Sequence, residues 1–173
     1  ADKEIGFMPI VVDDNGGRSF TVADIESRVR EAQLRFAAGT YARGDGALYP
    51  TNRLRLVVVD YLTKLQPPPR GFGQKYDSRE REVAAISGAL TELAKVLNVH
   101  VLVIATVSRG GAKGEDARKR ELHMPDLRES GMIEYDAASI IFANSPEENM
   151  IRLRTDKQRC RKGGYPVDLV MID

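Results

Sequence analysis

Two strand-length apolar runs with an amphipathic helix between them constrain this chain more than any other feature. Leu54 to Leu62 is nearly continuous hydrophobe, and Val99 to Val107 is a second such run. Apolar runs of this length read as strands buried on both faces, the habit of a parallel sheet covered by helices. Between them Val83, Ile86, Leu90, Leu93 and Leu97 recur at three- and four-residue steps, and Asp77 is placed to cap the helix they define. A strand, a helix and a parallel strand imply a right-handed crossover. A similar helix comes earlier, where Thr21 and Asp24 have capping-box spacing and Val22, Ile25, Val29, Ala32 and Phe36 share one face. The apolar run Met8–Val12 before it reads as a strand, ended by the turn signal Asp13-Asp14-Asn15-Gly16-Gly17. Three closely spaced strands follow at roughly Ala137–Ala143, Met150–Thr155 and Pro166–Ile172, suited to antiparallel pairing. The expected fold class is α/β, with a mainly parallel central sheet flanked by helices and antiparallel strands at its C-terminal edge.

Composition narrows the partners. A chain of 173 residues fits one domain with a substantial core. The net charge of +1 gives no bulk basicity, so any nucleic-acid site must come from local clustering. The single cysteine, Cys160, excludes an intramolecular disulfide and fits a reducing, cytoplasmic setting. No apolar run approaches the roughly 20 residues that span a bilayer, so no membrane is expected. Gly39 to Asn52 and Gln66 to Asp77, the second opened by Pro67-Pro68-Pro69, read as surface loops, and there is no internal repeat.

The chemistry begins at Asp60, which closes the first apolar run as Val57-Val58-Val59-Asp60. A carboxylate at the carboxyl end of a parallel strand faces the crevice where α/β sheets bind ligands, or else it caps a strand–loop junction. The second run ends in Thr106-Val107-Ser108-Arg109, where Thr106 is either a β-branched strand residue or a hydroxyl at the same edge. From Arg109 to Glu121 a Gly-rich stretch carries Lys113, Arg118, Lys119 and Arg120 among fewer acids, a solvated loop or one that attracts phosphate. The charged segment Asp126-Leu127-Arg128-Glu129-Ser130-Gly131, which reads as an ordered loop or a helix start, then feeds directly into an apolar strand. Arg128 in it is a phosphate ligand or half of a surface ion pair with Glu129, Gly131 permits close backbone approach, and Asp136 is structural. In the last hairpin Arg152, Arg154, Lys157, Arg159, Arg161 and Lys162 face Asp156 alone, a density of positive charge that calls for an anion.

Three of these stretches, Val57–Leu62 (VVVDYL), Asp126–Gly131 (DLRESG) and Lys157-Gln158-Arg159 (KQR), closely resemble successive motifs of DnaB-type replicative helicases. The resemblance implies a RecA-like fold and a hexameric motor that translocates on single-stranded DNA. It implies that Asp60 is the Walker B carboxylate, holding Mg²⁺ through its water shell beside the phosphates of ATP. It implies that Arg128, Glu129 and Gly131 line the central DNA channel. It also implies that Arg159 is an arginine finger reaching the neighbouring subunit's ATP, with Lys157 as its partner. The family's phosphate-sensing glutamine falls at Thr106, a departure, since threonine is shorter and reaches phosphate only through water. Cys160 and Arg161 also depart from the small polar and glycine residues usual there.

A phosphate-cradling loop needs Gly-Lys followed by Ser or Thr, and the chain has no Gly-Lys dipeptide. The resemblance therefore covers roughly the C-terminal two-thirds of a motor domain, from about Pro9 onward, without the Walker A segment. The expected activity is ATP-dependent DNA unwinding by a ring of which residues 1–173 are a part, with primase or a loader as possible partners and no turnover by the chain alone. Entry into a strand near Ile10 favours a fragment of a helicase. The alternative is a non-catalytic DNA-binding and oligomerisation module that lost nucleotide binding. A recombinase or clock-type RecA-like ATPase is a third reading, disfavoured by the pairing of DLRESG with KQR.

Overall fold

The helical stripes read from the sequence form as expected. The computed structural model of the chain describes residues 11–38, 54–71, 75–106, 121–127, 131–147, 149–159 and 166–170. Helix α1 spans Val22–Ala37 and buries Val22, Ile25, Val29, Ala32 and Phe36. Its capping box is complete: Asp24 N donates to Thr21 Oγ1 at 3.2 Å, and Thr21 N donates to Asp24 Oδ2 at 2.8 Å. The Thr21 hydroxyl also donates to that carboxylate, at 2.7 Å. These hydrogen bonds, first the one from the Thr21 side chain and then the one from its backbone, hold the Asp24 carboxyl below its usual range. Helix α2 spans Arg79–Leu97 and buries Val83, Ile86, Leu90, Leu93 and Leu97. Ser78, not Asp77, caps it, its Oγ accepting from Arg81 N at 3.3 Å, while Asp77 pairs with the Arg81 side chain. Only the residue at the cap position itself aims its oxygen at the first free amides, so a one-residue error changes the partner.

Strands β1 (Leu56–Asp60) and β2 (His100–Ile104) are shorter than the apolar runs that contain them, and they pair parallel. Asn98, in the left-handed region at φ 52°, ends α2, and Val99 N closes that turn onto Ala94 O at 3.1 Å. The chain is thereby delivered to β2 with almost no slack. Helices α1 and α2 lie on one face of the pair and make a single core with Val59, Leu62, Leu65 and Val99; Val57, Val101 and Val103 pack against it. The expectation that these strands are buried on both faces is not met. Leu56, Val58, Leu102 and Ile104, which alternate with the inward valines, are 51%, 53%, 49% and 45% exposed. No described element covers that face.

The last three strands, β3 (Ser139–Asn144), β4 (Met150–Gln158) and β5 (Pro166–Val170), form a separate antiparallel sheet in sequence order. The strand expected near Ile10 is not met in its described part, since Val11 and Val12 are exposed coil. The turn signal behind it forms, with Gly16 at φ 59° and Gly17 at φ 79°, values that suit glycine. The charged segment does not run straight into β3 either. A six-residue helix, α3 (Gly131–Asp136), intervenes and rests against α2, with Ile133 packed on the core. The fold is α/β and RecA-like, with its parallel and antiparallel strands in the expected order along the chain. All of Gly39–Asn52, nearly all of Arg109–Glu121, and Arg128, Glu129, Cys160, Arg161 and Lys162 lie outside the described residues.

Candidate functional site

Parallel register decides which side chains share an edge. Asp60 pairs with Ile104, so the carboxylate ends β1 where β2 is also ending, and Thr106 follows two residues on. Both are exposed at the carboxyl edge of the parallel pair, where α/β sheets gather ligands. Strand alternation places Asp60 with Leu56 and Val58, on the face opposite the helices. Behind it Leu62 is buried in the 3-10 turn Leu62–Lys64 and anchors the strand end. The Asp60 carboxylate makes no hydrogen bond or ion pair to any described residue. A carboxylate and a hydroxyl at one sheet edge offer hard oxygens of the kind Mg²⁺ takes. Among the described residues no group of three or more His, Cys, Asp or Glu converges to hold a metal. A cation at Asp60 would therefore draw its remaining ligands from nucleotide and water, the usual habit of Mg²⁺.

Lys157 and Arg159 lie on the antiparallel sheet, not at this edge. The motif was expected to follow the strand, but β4 runs on through Lys157 and Gln158, which pair with Ile140 and Ser139. Arg159 N continues the ladder onto Ala138 O at 2.9 Å. The strand extends because a bulge between Ile140 and Ile141 takes up a register shift. Lys157 Nζ donates to the carbonyl of Glu134 and, at 3.4 Å, to that of Tyr135. Arg159 donates to the carbonyl of Tyr135 and, at 3.5 Å, to that of Asp136. Both cations thus complete the carboxyl end of α3, whose last carbonyls lack helical partners and carry partial negative charge. Arg159 is exposed and no part of the core.

The basic hairpin is less of an anion site than its composition implies. Arg154, only 16% exposed, is engaged by Asp156 through Nε at 2.7 Å and by Glu121 through Nη1 at 3.1 Å. This network was not legible in the sequence, because Glu121 lies more than thirty positions from Arg154. The one available signal was the Arg154/Asp156 spacing, which puts both on one face of a strand. Ahead of the charged segment, residues Met124–Asp126 form a 3-10 turn in which Asp126 is 6% exposed. Its carboxylate accepts from His123 N at 2.8 Å, so this first residue of the segment is structural rather than solvated. Gly131 opens α3, is exposed, and has nothing within 4 Å of where a Cβ would stand.

Comparison with known proteins now bears on these positions. The model of the DnaB-like helicase C-terminal domain matches residues 1–172. The chain belongs to that family. Among curated DnaB-type relatives, the replicative DNA helicase DnaB of Mycobacterium intracellulare is 35% identical over 145 residues, 84% of this chain and 21% of that protein. The replicative DNA helicase DnaB of Pasteurella multocida is 33% identical over 158 residues, 87% of this chain and 28% of that protein. The chain thus spans about a quarter of the length of these DnaB proteins. A solved ATPase domain superposes with a TM-score of 0.67 at 27% identity, covering 88% of this chain and 49% of that one. A DnaB-like replicative helicase, solved in a study of its interactions with primase, gives a TM-score of 0.66 at 28% identity, covering 88% of this chain and 34% of that one. Among the described residues of this DnaB-like domain no helix is long and apolar enough to cross a membrane.

Proposed function

We propose that this chain is part of the motor domain of a ring-shaped, ATP-dependent replicative DNA helicase, cytoplasmic and hexameric when intact. The observation that best supports this is the meeting of Asp60 and Thr106 at the carboxyl edge of the parallel pair in a chain of a helicase family. In this reading Asp60 holds Mg²⁺ through water, and the ion, when bound, offsets phosphate charge on ATP. Thr106 faces the same nucleotide with a hydroxyl in place of the longer glutamine. Arg128, Glu129 and Gly131 contact single-stranded DNA, while Arg159, with Lys157, serves the nucleotide of the neighbouring subunit. Primase is a partner of the intact ring, by analogy with the primase-interacting helicase the chain resembles. A loader is a second candidate partner.

The test is ATP hydrolysis and forked-duplex unwinding by the full-length gene product, run beside this chain alone. The gene product should show both activities and lose them with Asp60→Asn, while the chain alone shows no turnover above a buffer blank. Turnover by the chain alone, abolished by Asp60→Asn, would refute the reading that its phosphate-cradling loop lies elsewhere. The absence of any Gly-Lys dipeptide also favours a second reading, a non-catalytic DNA-binding and oligomerisation module. A gene product that binds single-stranded DNA and forms rings but does not bind ATP would establish it. Arg128→Ala should weaken single-strand binding without sequence preference and flatten its salt dependence by about one counterion. An unchanged slope would return Arg128 to a surface ion pair.

A further inference from the structure

Strand β4 holds the candidate DNA segment at both of its described ends. Before the segment, Arg154 gathers three consecutive residues. Its Nη1 donates to Glu121 Oε2 at 3.1 Å, and its Nη2 donates to Leu122 O at 2.8 Å and meets His123 Nδ1 at 2.6 Å. Asp156, two residues along the strand and 15% exposed, fixes the guanidinium in a fork, with Nε at 2.7 Å and Nη2 at 3.0 Å. His123 passes the constraint on, because its backbone N–H donates to the buried Asp126 carboxylate, the first residue of the segment. After the segment, Lys157 and Arg159 hold the last carbonyls of α3.

We propose that Arg154 is a positioning residue for the DNA-contacting segment, tying its entry to β4, the strand that leads into the candidate finger Arg159. The proposal rests on the DNA reading of Arg128, Glu129 and Gly131. It assigns Arg154 a role its charge alone would not suggest. A basic residue in a helicase hairpin is naturally read as a phosphate contact, but here both terminal nitrogens and Nε already donate to protein acceptors. Only a guanidinium satisfies a bidentate carboxylate, a second carboxylate and a carbonyl together, so lysine should not replace it.

The experiment uses the full-length gene product as wild type, Arg154→Met, Arg154→Lys and the milder Glu121→Gln. Amide hydrogen exchange should quicken in residues 121–127 of both Arg154 variants, with α1 and α2 unchanged. Binding to a fluorescein-labelled oligo-dT, read across a salt series, should weaken about tenfold in both, the scale expected when a charge-assisted contact is lost. The salt slope should not move, whereas a phosphate contact removed would lower it by about one. Glu121→Gln should shift both readouts the same way by less. Unchanged exchange at 121–127 would overturn the mooring, and unchanged affinity with faster exchange would overturn its role in positioning. A slope lowered by about one would make Arg154 a DNA contact and also overturn the proposal. If wild type itself has no affinity for oligo-dT, the DNA reading fails, and normal exchange in Arg154→Met would still refute the mooring separately.

Discussion

Gly131→Ala separates what the fold needs from what DNA needs. Gly131 is the first residue of α3, its φ lies outside the left-handed region, and a Cβ there would meet nothing within 4 Å. Nothing in the described structure therefore asks for glycine. In a helix interior glycine costs roughly 0.5–1 kcal/mol relative to alanine, chiefly as backbone entropy. A first-turn position sets that range as an upper bound. For a domain of this size about 1 kcal/mol moves the midpoint by roughly 2–4 °C, so the substitution should raise Tm by about 1–4 °C at most and should not lower it. If the Gly131 backbone approaches a DNA phosphate, the added methyl occupies that approach. Losing one charge-assisted hydrogen bond, about 1.5–3 kcal/mol, weakens binding on the order of tenfold or more. Thermal melting and oligo-dT anisotropy on the same preparation give both numbers. A raised Tm with unchanged affinity would remove Gly131 from the DNA surface, and a clearly lowered Tm would refute the open space described around it.

The remaining predictions concern other parts of the chain. Arg159→Ala in the full-length gene product should lower ATP hydrolysis by on the order of 10³–10⁵ with nucleotide binding intact. Mixing it with Asp60→Ala should restore some activity, and no rescue in confirmed mixed rings would argue against action in trans. Asp24, whose folded pKa is depressed, adds stability above its unfolded value near 3.8 and loses it as pH falls through the folded one. Urea unfolding of wild type and Asp24→Asn should thus differ at neutral pH and converge in acid, and a constant gap would refute the linkage. Ile86→Ala, at a fully buried site, should cost about 2–5 kcal/mol, and Leu102→Ala, half-exposed, under about 1.5 kcal/mol. Equal costs would mean that both faces of the parallel pair are covered.

What was legible in the sequence depended on how far apart the cooperating residues lie. The stripes of α1 and α2 emerge because helical period is a local property, and each of their ten named apolar positions is buried. Asp60 was visible for the same reason, a charge ending an apolar run. The strands were over-read, because a run apolar at every position hides the alternation that burial later reveals at Val57 and Val58. Helix α3 was legible only as one of two readings, an ordered loop or a helix start at Asp126–Gly131, since six residues make under two turns and only Ile133 reaches the core. The Arg154 network was beyond local reading, as Glu121 and His123 join it only through the fold. Lys157 and Arg159 were found by motif, but their hold on the carboxyl end of α3 could not be, since the fold alone brings that helix end to β4.

The uncovered side of β1 and β2 has a thermodynamic consequence. Leu56, Val58, Leu102 and Ile104 are side chains that water would not select, yet each keeps about half its surface wet. Drying the remainder would contribute about 1 kcal/mol apiece, since full burial of such side chains is worth roughly 1.5–3 kcal/mol. Their sum is of the order of several kcal/mol, a large share of the 5–15 kcal/mol that holds an ordinary domain together. The unfolding free energy of this polypeptide is therefore a lower bound on the steadiness of β1 and β2 in any assembly that shields them. Asp60 and Thr106, at the ends of those strands, would become more rigid by the same contact.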